Sequence, residues 1–277
     1  MAVRMMDLIM GAGLPELRMH PTSKWVRALV GNTVVVDSRA ASVVWEPRRV
    51  VPSYAVPRQD VDAELSTATP REGIERPVRI GRDGREVLDP STPFASHSCP
   101  GTPLTIHAGG RELVGAAFAP DDPDLAGHVV LDWNAFTEWR EEDEPVLGHP
   151  HDPFDRIDCL RSTRRVRISL DGQVLADSGR PVLLFETPLP TRYYLPRADV
   201  RMDLLERTDL QTVCAYKGRA SYWSARLRHG LLPNVAWTYE EPLHDATPVR
   251  DLVCFFTERL DLAVDGVAVE RPVTPWS

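Results

Sequence analysis

The 277-residue sequence has no CxxC pair, no long apolar run and no excess of basic residues, and each absence removes a class of protein. The four cysteines, Cys99, Cys159, Cys214 and Cys254, are scattered along the chain. That spacing fits reduced thiols in a cytoplasmic protein, not a disulfide framework or a zinc knuckle. No stretch approaches the roughly 18 apolar residues of a membrane span. The N-terminal MAVRMMDLIMGAG carries an Asp inside its apolar run and no clean cleavage signal, so it does not read as a secretory leader. A formal charge of -8 offers no net attraction to a nucleic-acid backbone or an anionic membrane, and neither is expected as a partner. The basic run RSTRRVR, Arg161 to Arg167, reads as a solvated strand edge. A phosphate-binding loop and paired metal-binding aspartates are both missing, and the sequence names neither a cofactor nor an oligomeric state.

What is present is a repeat. VRALVGNTVVVDS, Val26 to Ser38, lies over VRISLDGQVLADS, Val166 to Ser178, at an offset of 140 with five identities. YAVPRQDVDAEL, Tyr54 to Leu65, then lies over YYLPRADVRMDL, Tyr193 to Leu204, at an offset of 139, with Tyr, Pro, Arg, Asp, Val and Leu recurring in order. Between these blocks Glu46 matches Glu186, each preceded by an aromatic residue, Trp45 or Phe185. Two unrelated strand-rich segments would share alternating apolar residues but not the PR.DV string, so the chain reads as an internal duplication. Twenty-five prolines and 17 glycines, with few long periodic runs, favour short strands and many turns.

The motifs LFET, RYYLPRADVRMDLL, CAYKGRASYW and VAWTYEEPL, followed by an apolar block ending in VDG, run in that order from about Val166 to Gly266. In them the second half resembles the domain of unknown function 427 family, which is sometimes filed beside nucleotidyltransferases. The first half resembles a decayed copy, and the arrangement is similar to tandem members of that family. The resemblance implies a fold and an architecture and carries no chemistry.

In chain order, residues 1–23 read as an arm, 24–139 as a first, diverged repeat domain, 140–162 as an acidic, proline-rich connector and 163–277 as a second repeat domain with the fuller motif set. Gly31-Asn32 and Asp171-Gly172 sit between alternating runs, as hairpin turns that demand positive φ. Ser42–Glu46 and Val182–Glu186 read as buried strands, and PRQDV and PRADV each as the start of one helical turn. Residues 66–123 show little periodicity, beyond a hairpin suggested by GRDGREVLDP. Cys99 takes the place of Cys214, with CAYKG replaced by CPGTP and the lysine lost. Gly127 to Trp139 resembles Asp251 to Val264, a closing strand with a short helix. In the connector, His149, His151, Asp152 and Asp155 are of metal-ligating types but match no metal template, and aspartate before proline is ordinary turn chemistry.

Reactive groups are denser in the second half. Lys217, at the mouth of an alternating strand, suits an anion-holding or acid-base role, against the plain reading of a surface lysine at a hairpin end. Cys214 is a candidate nucleophile or a small core residue; neither His229 nor His244 pairs with it convincingly. Glu186 and Asp199 are candidate carboxylates, with Arg192 or Arg197 as a fork for an acidic substrate. The competing reading gives Asp199 to the turn and pairs Arg197 with Glu186. Tyr193, Tyr222, Trp223, Trp237 and Tyr239 either wall a ligand pocket or fill a small β core.

The resulting expectation is a mainly β protein of two related small antiparallel β domains from an internal duplication, with little helix and a site in a groove between sheets or halves. Function reads as an enzyme acting on a small polar or anionic organic molecule by acid-base chemistry in the second domain, with Lys217, Glu186 and Cys214 catalytic and Arg192 and the aromatics binding. The alternatives are a non-catalytic metabolite-binding or regulatory module and an interaction scaffold recruiting a basic partner through Glu141 to Glu144. A shifted Lys217 or Glu186 in a cleft marks the enzyme, a pocket without such a pair marks the binding module, and an exposed patch without a pocket marks the scaffold.

Overall fold

A strand that carries apolar side chains on alternate positions buries one face, and two such faces close a core. The computed structural model describes residues 14–70, 73–80, 85–186, 189–228 and 230–274, and the chain divides into two compact units, Met1–Arg79 with Arg85–Asp152 and Ile80–Gly84 with Pro153–Ser277. Most of the stretch read as an N-terminal arm lies outside the described residues, as do His229 and the turn of the GRDGREVLDP hairpin, whose strands Pro77–Ile80 and Arg85–Leu88 pair.

The first unit has a seven-stranded antiparallel sheet in the order Arg18–Pro21, Ser42–Trp45, Ser53–Pro57, His128–Leu131, Arg111–Pro120, Gly101–Ala108, Glu64–Thr67. Its four-stranded sheet runs Glu144–Val146, Glu138–Glu141, Val26–Val30, Thr33–Ser38. The second unit repeats this plan. Its large sheet runs Ile157–Arg161, Val182–Glu186, Arg192–Leu195, Val253–Phe255, Gly230–Pro242, Gly218–Leu227, Leu205–Cys214, and its small sheet Val267–Val269, Asp261–Val264, Val166–Leu170, Gln173–Ser178. Every strand of these four sheets has its counterpart at the same sheet position and in the same chain order in the other unit, and the pair Pro77–Ile80 and Arg85–Leu88 has none among the described residues.

The match extends to details. A register shift falls between Ala28 and Leu29 in one hairpin and between Ile168 and Ser169 in the other. Ser38 Oγ donates to Asp60 at 2.6 Å, and Ser178 Oγ to Asp199 at 2.8 Å. The PR.D strings form the single 3₁₀ turns Arg58–Asp60 and Arg197–Asp199. At Asp171-Gly172 both central residues have positive φ, 48° and 73°, and at Gly31 φ is 62°.

In each unit the two sheets enclose a core, around Val26, Val43, Tyr54 and Ile106 in the first and Ile168, Leu195, Val235 and Phe255 in the second. The outer face of each large sheet carries a second cluster, around Val44, Phe118 and Val130 in one and Leu184, Tyr194 and Trp237 in the other. Each fully buried Leu, Val or Phe contributes about 1.5–3 kcal/mol.

Segments expected outside the domains complete these sheets. Arg18–Pro21 pairs with Ser42–Trp45, and Glu141 with Glu144–Val146 extends the small sheet of the first unit. Ile157–Arg161 pairs with Val182–Glu186 in the second. An unpaired sheet edge leaves rows of backbone donors and acceptors open, and a short outer strand closes them, with Pro145 tolerated because its missing N–H falls in an edge strand. Between them, 147–156 is neither strand nor helix. Every helical segment among the described residues is a 3₁₀ turn of six residues or fewer, and none is long and apolar enough to cross a membrane.

Candidate functional site

Period-two alternation along VLLFE places Val182, Leu184 and Glu186 on the outer face of the second unit's large sheet. Lys217 lies in the three-residue turn joining the ten-residue strands Leu205–Cys214 and Gly218–Leu227. The two meet: Lys217 Nζ donates to Glu186 Oε1 at 2.6 Å and to Oε2 at 2.5 Å, and both side chains are buried. Burial disfavours the ammonium, but the neighbouring Cys214 sulfur and Glu186 carboxylate outweigh it and raise the Lys217 pKa above its ordinary value. Such a lysine stays a cation. It is the opposite of the depressed pKa that makes a lysine a base.

Arg192 is also closed off. Its guanidinium makes a buried two-pronged ion pair with Glu258, at 2.9 and 2.7 Å, and Thr274 Oγ1 donates to the same carboxylate at 2.8 Å. The fork read as a holder of acidic substrate is thus occupied from within the chain, by a carboxylate 66 positions away that the sequence reading did not single out. Its only signal was an acidic residue inside the apolar block VCFFTERLDLAV. Arg197 does not pair with Glu186: its Nε donates to Asp251 O at 3.1 Å, while Asp199 accepts from Ser178 and Arg180.

The five aromatics divide between the two faces of one sheet. Tyr222, Trp237 and Tyr239 join the outer cluster with Tyr194, whose hydroxyl accepts from Trp237 Nε1 at 3.1 Å, whereas Tyr193 and Trp223 pack on the inner core. They therefore do not wall one pocket. Burial raises the pKa of Tyr222 and pushes that of Tyr239 well above the ordinary value, so both hydroxyls stay protonated. Trp223 has the guanidinium groups of Arg197 and Arg207 over its ring at 5.5 and 5.9 Å.

The first unit treats the matching carboxylate differently. Glu46 is buried, 4 % exposed, and its partners are His97 Nδ1 at 3.0 Å, Ser98 N–H at 2.7 Å and the Cys99 thiol at 3.9 Å. An imidazole, an amide and a thiol stand where the second unit has one lysine. Cys99 precedes its strand, Gly101–Ala108, whereas Cys214 ends Leu205–Cys214, so the two cysteines hold different chain positions, Cys99 beside Glu46 and Cys214 beside Lys217. The residues 68–100 replace the tight turn and bring His97 in. Burial, with Glu46 adding to it, pushes the Cys99 thiol up to about 12, which makes it a poor nucleophile at neutral pH.

Beside His97 lies a cavity of about 550 Å³, lined by Phe94, Cys99, Pro103, Phe118 and Asp132 among others, all in the first unit. Its origin is visible in matched cross-strand rows. Pro103, Phe118, Val130 and Ala55 pair in series in the first unit, as Tyr222, Trp237, Cys254 and Tyr194 do in the second. Asp132 takes the place of Phe256, each donating its amide to the matching carbonyl, of Ala116 or Val235. In the second unit Tyr222 and Phe256 stack at 6.4 Å, while proline and aspartate in the first leave the space open.

In the connector, His149 Nδ1 bonds Pro150 O and His151 Nδ1 lies 3.7 Å from Glu141. Among the described residues no group of three or more His, Cys, Asp or Glu is placed to hold a metal ion.

The second unit is thus a β sandwich in which Lys217 and Glu186, and Arg192 and Glu258, are paired internally. Residues 158–266 match the family described as a domain of unknown function (DUF427), less than half of the chain and within the second unit. No curated protein matches the sequence.

Proposed function

We propose that the protein binds a small organic molecule in the cavity of its first unit and that the Lys217–Glu186 pair of the second unit holds structure. We also infer that the chain is a tandem protein, two copies of one domain of which the second keeps the family motifs. Matched sheet orders, register shifts and Ser–Asp bonds support the tandem reading. The observation that carries the binding reading is the cavity itself. At about 550 Å³, with aromatic walls and a few convergent polar groups, it has the size and lining of a small-molecule site. A saturated ion pair with a raised lysine pKa argues against acid-base chemistry at Lys217. A catalytic reading finds its support in the first unit instead, where Glu46 holds His97 Nδ1 and the ring lines the cavity.

Thermal-shift screening of metabolites against the wild type and Val114→Trp, which places a large ring at the cavity wall, tests this. Ligands are expected to raise the melting temperature of the wild type in a concentration-dependent way and to leave Val114→Trp unmoved, because selective binding to the folded state stabilises it. Ligands that stabilise both proteins equally would place the site elsewhere.

A further inference from the structure

The cavity wall has an uneven charge. Among the described residues its lining includes two carboxylates, Glu75 and Asp132, one imidazole, His97, and no Lys or Arg. Glu75 is met by Arg48. Asp132 forms no ion pair among the described residues; its Oδ1 accepts the Asn134 amide at 3.0 Å. Ser96, 4 % exposed, also lines the cavity, and its hydroxyl has no hydrogen-bond partner among the described residues. The rest of the wall is apolar and aromatic: His97 stacks on Phe118 at 3.6 Å and meets Phe94 edge-on at 4.9 Å.

We propose that this cavity takes an organic cation, a protonated amine on an apolar or aromatic body, with Asp132 as its counter-ion and Ser96 as a further acceptor. The proposal rests on reading the cavity as the ligand site. An ammonium gains from a carboxylate, from a hydroxyl acceptor and from the faces of aromatic rings. His97, with Nδ1 bound to Glu46, has Nε2 left to accept from an N–H donor in its neutral form. Among the described residues of the wall an anion would meet carboxylates and no cation except the imidazole. A neutral apolar ligand would leave the Asp132 carboxylate without a counter-ion and the Ser96 hydroxyl without an added partner, at the cost of desolvating them.

The electrostatics of the site carry a mark of the same arrangement. Burial raises the Asp132 pKa above its ordinary value, against the lowering effects of the Asn134 amide, Arg49 and His97. A bound cation would supply what the site lacks.

The test is calorimetric titration of the full chain with three matched series of small aromatic and aliphatic compounds: amines, the corresponding alcohols and the corresponding carboxylic acids. At least one amine is expected to bind about tenfold or more tightly than its alcohol and acid partners. Asp132→Asn, which keeps an acceptor for the Asn134 amide, should weaken that amine about tenfold and leave the alcohols unchanged. Val114→Trp should abolish binding of the amine. Alcohols or acids that bind as well as amines, and are lost in Val114→Trp, would overturn the cation proposal while keeping the cavity as the site. Amine binding indifferent to Asp132→Asn would remove Asp132 as counter-ion and overturn it equally. Failure of every series, or binding untouched by Val114→Trp, would overturn the cavity reading itself.

Discussion

At the residue scale the two matched carboxylates show how one position serves two ends. Glu186 is paired with a buried ammonium, whereas Glu46 is hydrogen-bonded by an imidazole, an amide and a thiol. A buried ion pair contributes little over an apolar pair of the same shape, but removing one partner strands the other. Lys217→Met is therefore expected to destabilise the protein by about 3–5 kcal/mol, and Lys217→Met with Glu186→Gln to cost less than the single change. Denaturant unfolding of the four proteins of the cycle checks this. The pH dependence has a definite sign. A lysine whose folded pKa is raised stabilises fully below its unfolded value of 10.5, and that share is lost as pH rises through the folded pKa. The advantage of the wild type over Lys217→Met should hold at neutral pH and shrink above 10.5. The sequence marked Lys217 and Glu186 as reactive types worth testing; that they quench each other depends on a contact between a strand end and a turn 31 positions apart.

Elements were legible where the signal is local. Asp171-Gly172 and Gly31-Asn32 announced hairpins because few residues tolerate positive φ, and both turns have it. No atom lies within 4 Å of a Cβ built on Gly172, so backbone strain alone sets the cost of Gly172→Ala, about 1–2 kcal/mol of stability. Gly179 has equally open surroundings without positive φ, and Gly179→Ala should be neutral or slightly stabilising. Urea midpoints of the two variants separate these outcomes. The edge strands were harder to read. Arg18–Pro21 and Glu144–Val146 have no apolar period of their own, and pairing with a sheet edge makes them strands. Beyond the GRDGREVLDP hairpin, the stretch before Gly101 was hard to read for a related reason: the described residues around Pro93 and Ser96 are loop, held by long-range bonds such as Arg49 to Pro93 O and Ser96 O.

At the scale of the molecule, each unit has its own cores on both faces of its large sheet. The fragment 153–277 is expected to fold alone, with a β-type circular dichroism spectrum and a single cooperative unfolding transition. A non-cooperative or unfolded fragment would show that its cores are insufficient without the first unit. The sequence by itself determined the mainly β character, the hairpins, the two PR.D turns and the repeat, because alternation, turn chemistry and recurrence are written within a few residues of one another. Tertiary structure decided the rest. Register assigned Tyr222, Trp237 and Tyr239 to one face and Tyr193 and Trp223 to the other, and distant strands brought Glu258 to Arg192. The cavity arose where Pro103, Ala55 and Asp132 stand in rows that the other unit fills with rings, a difference in packed volume that appears only once the strands are paired.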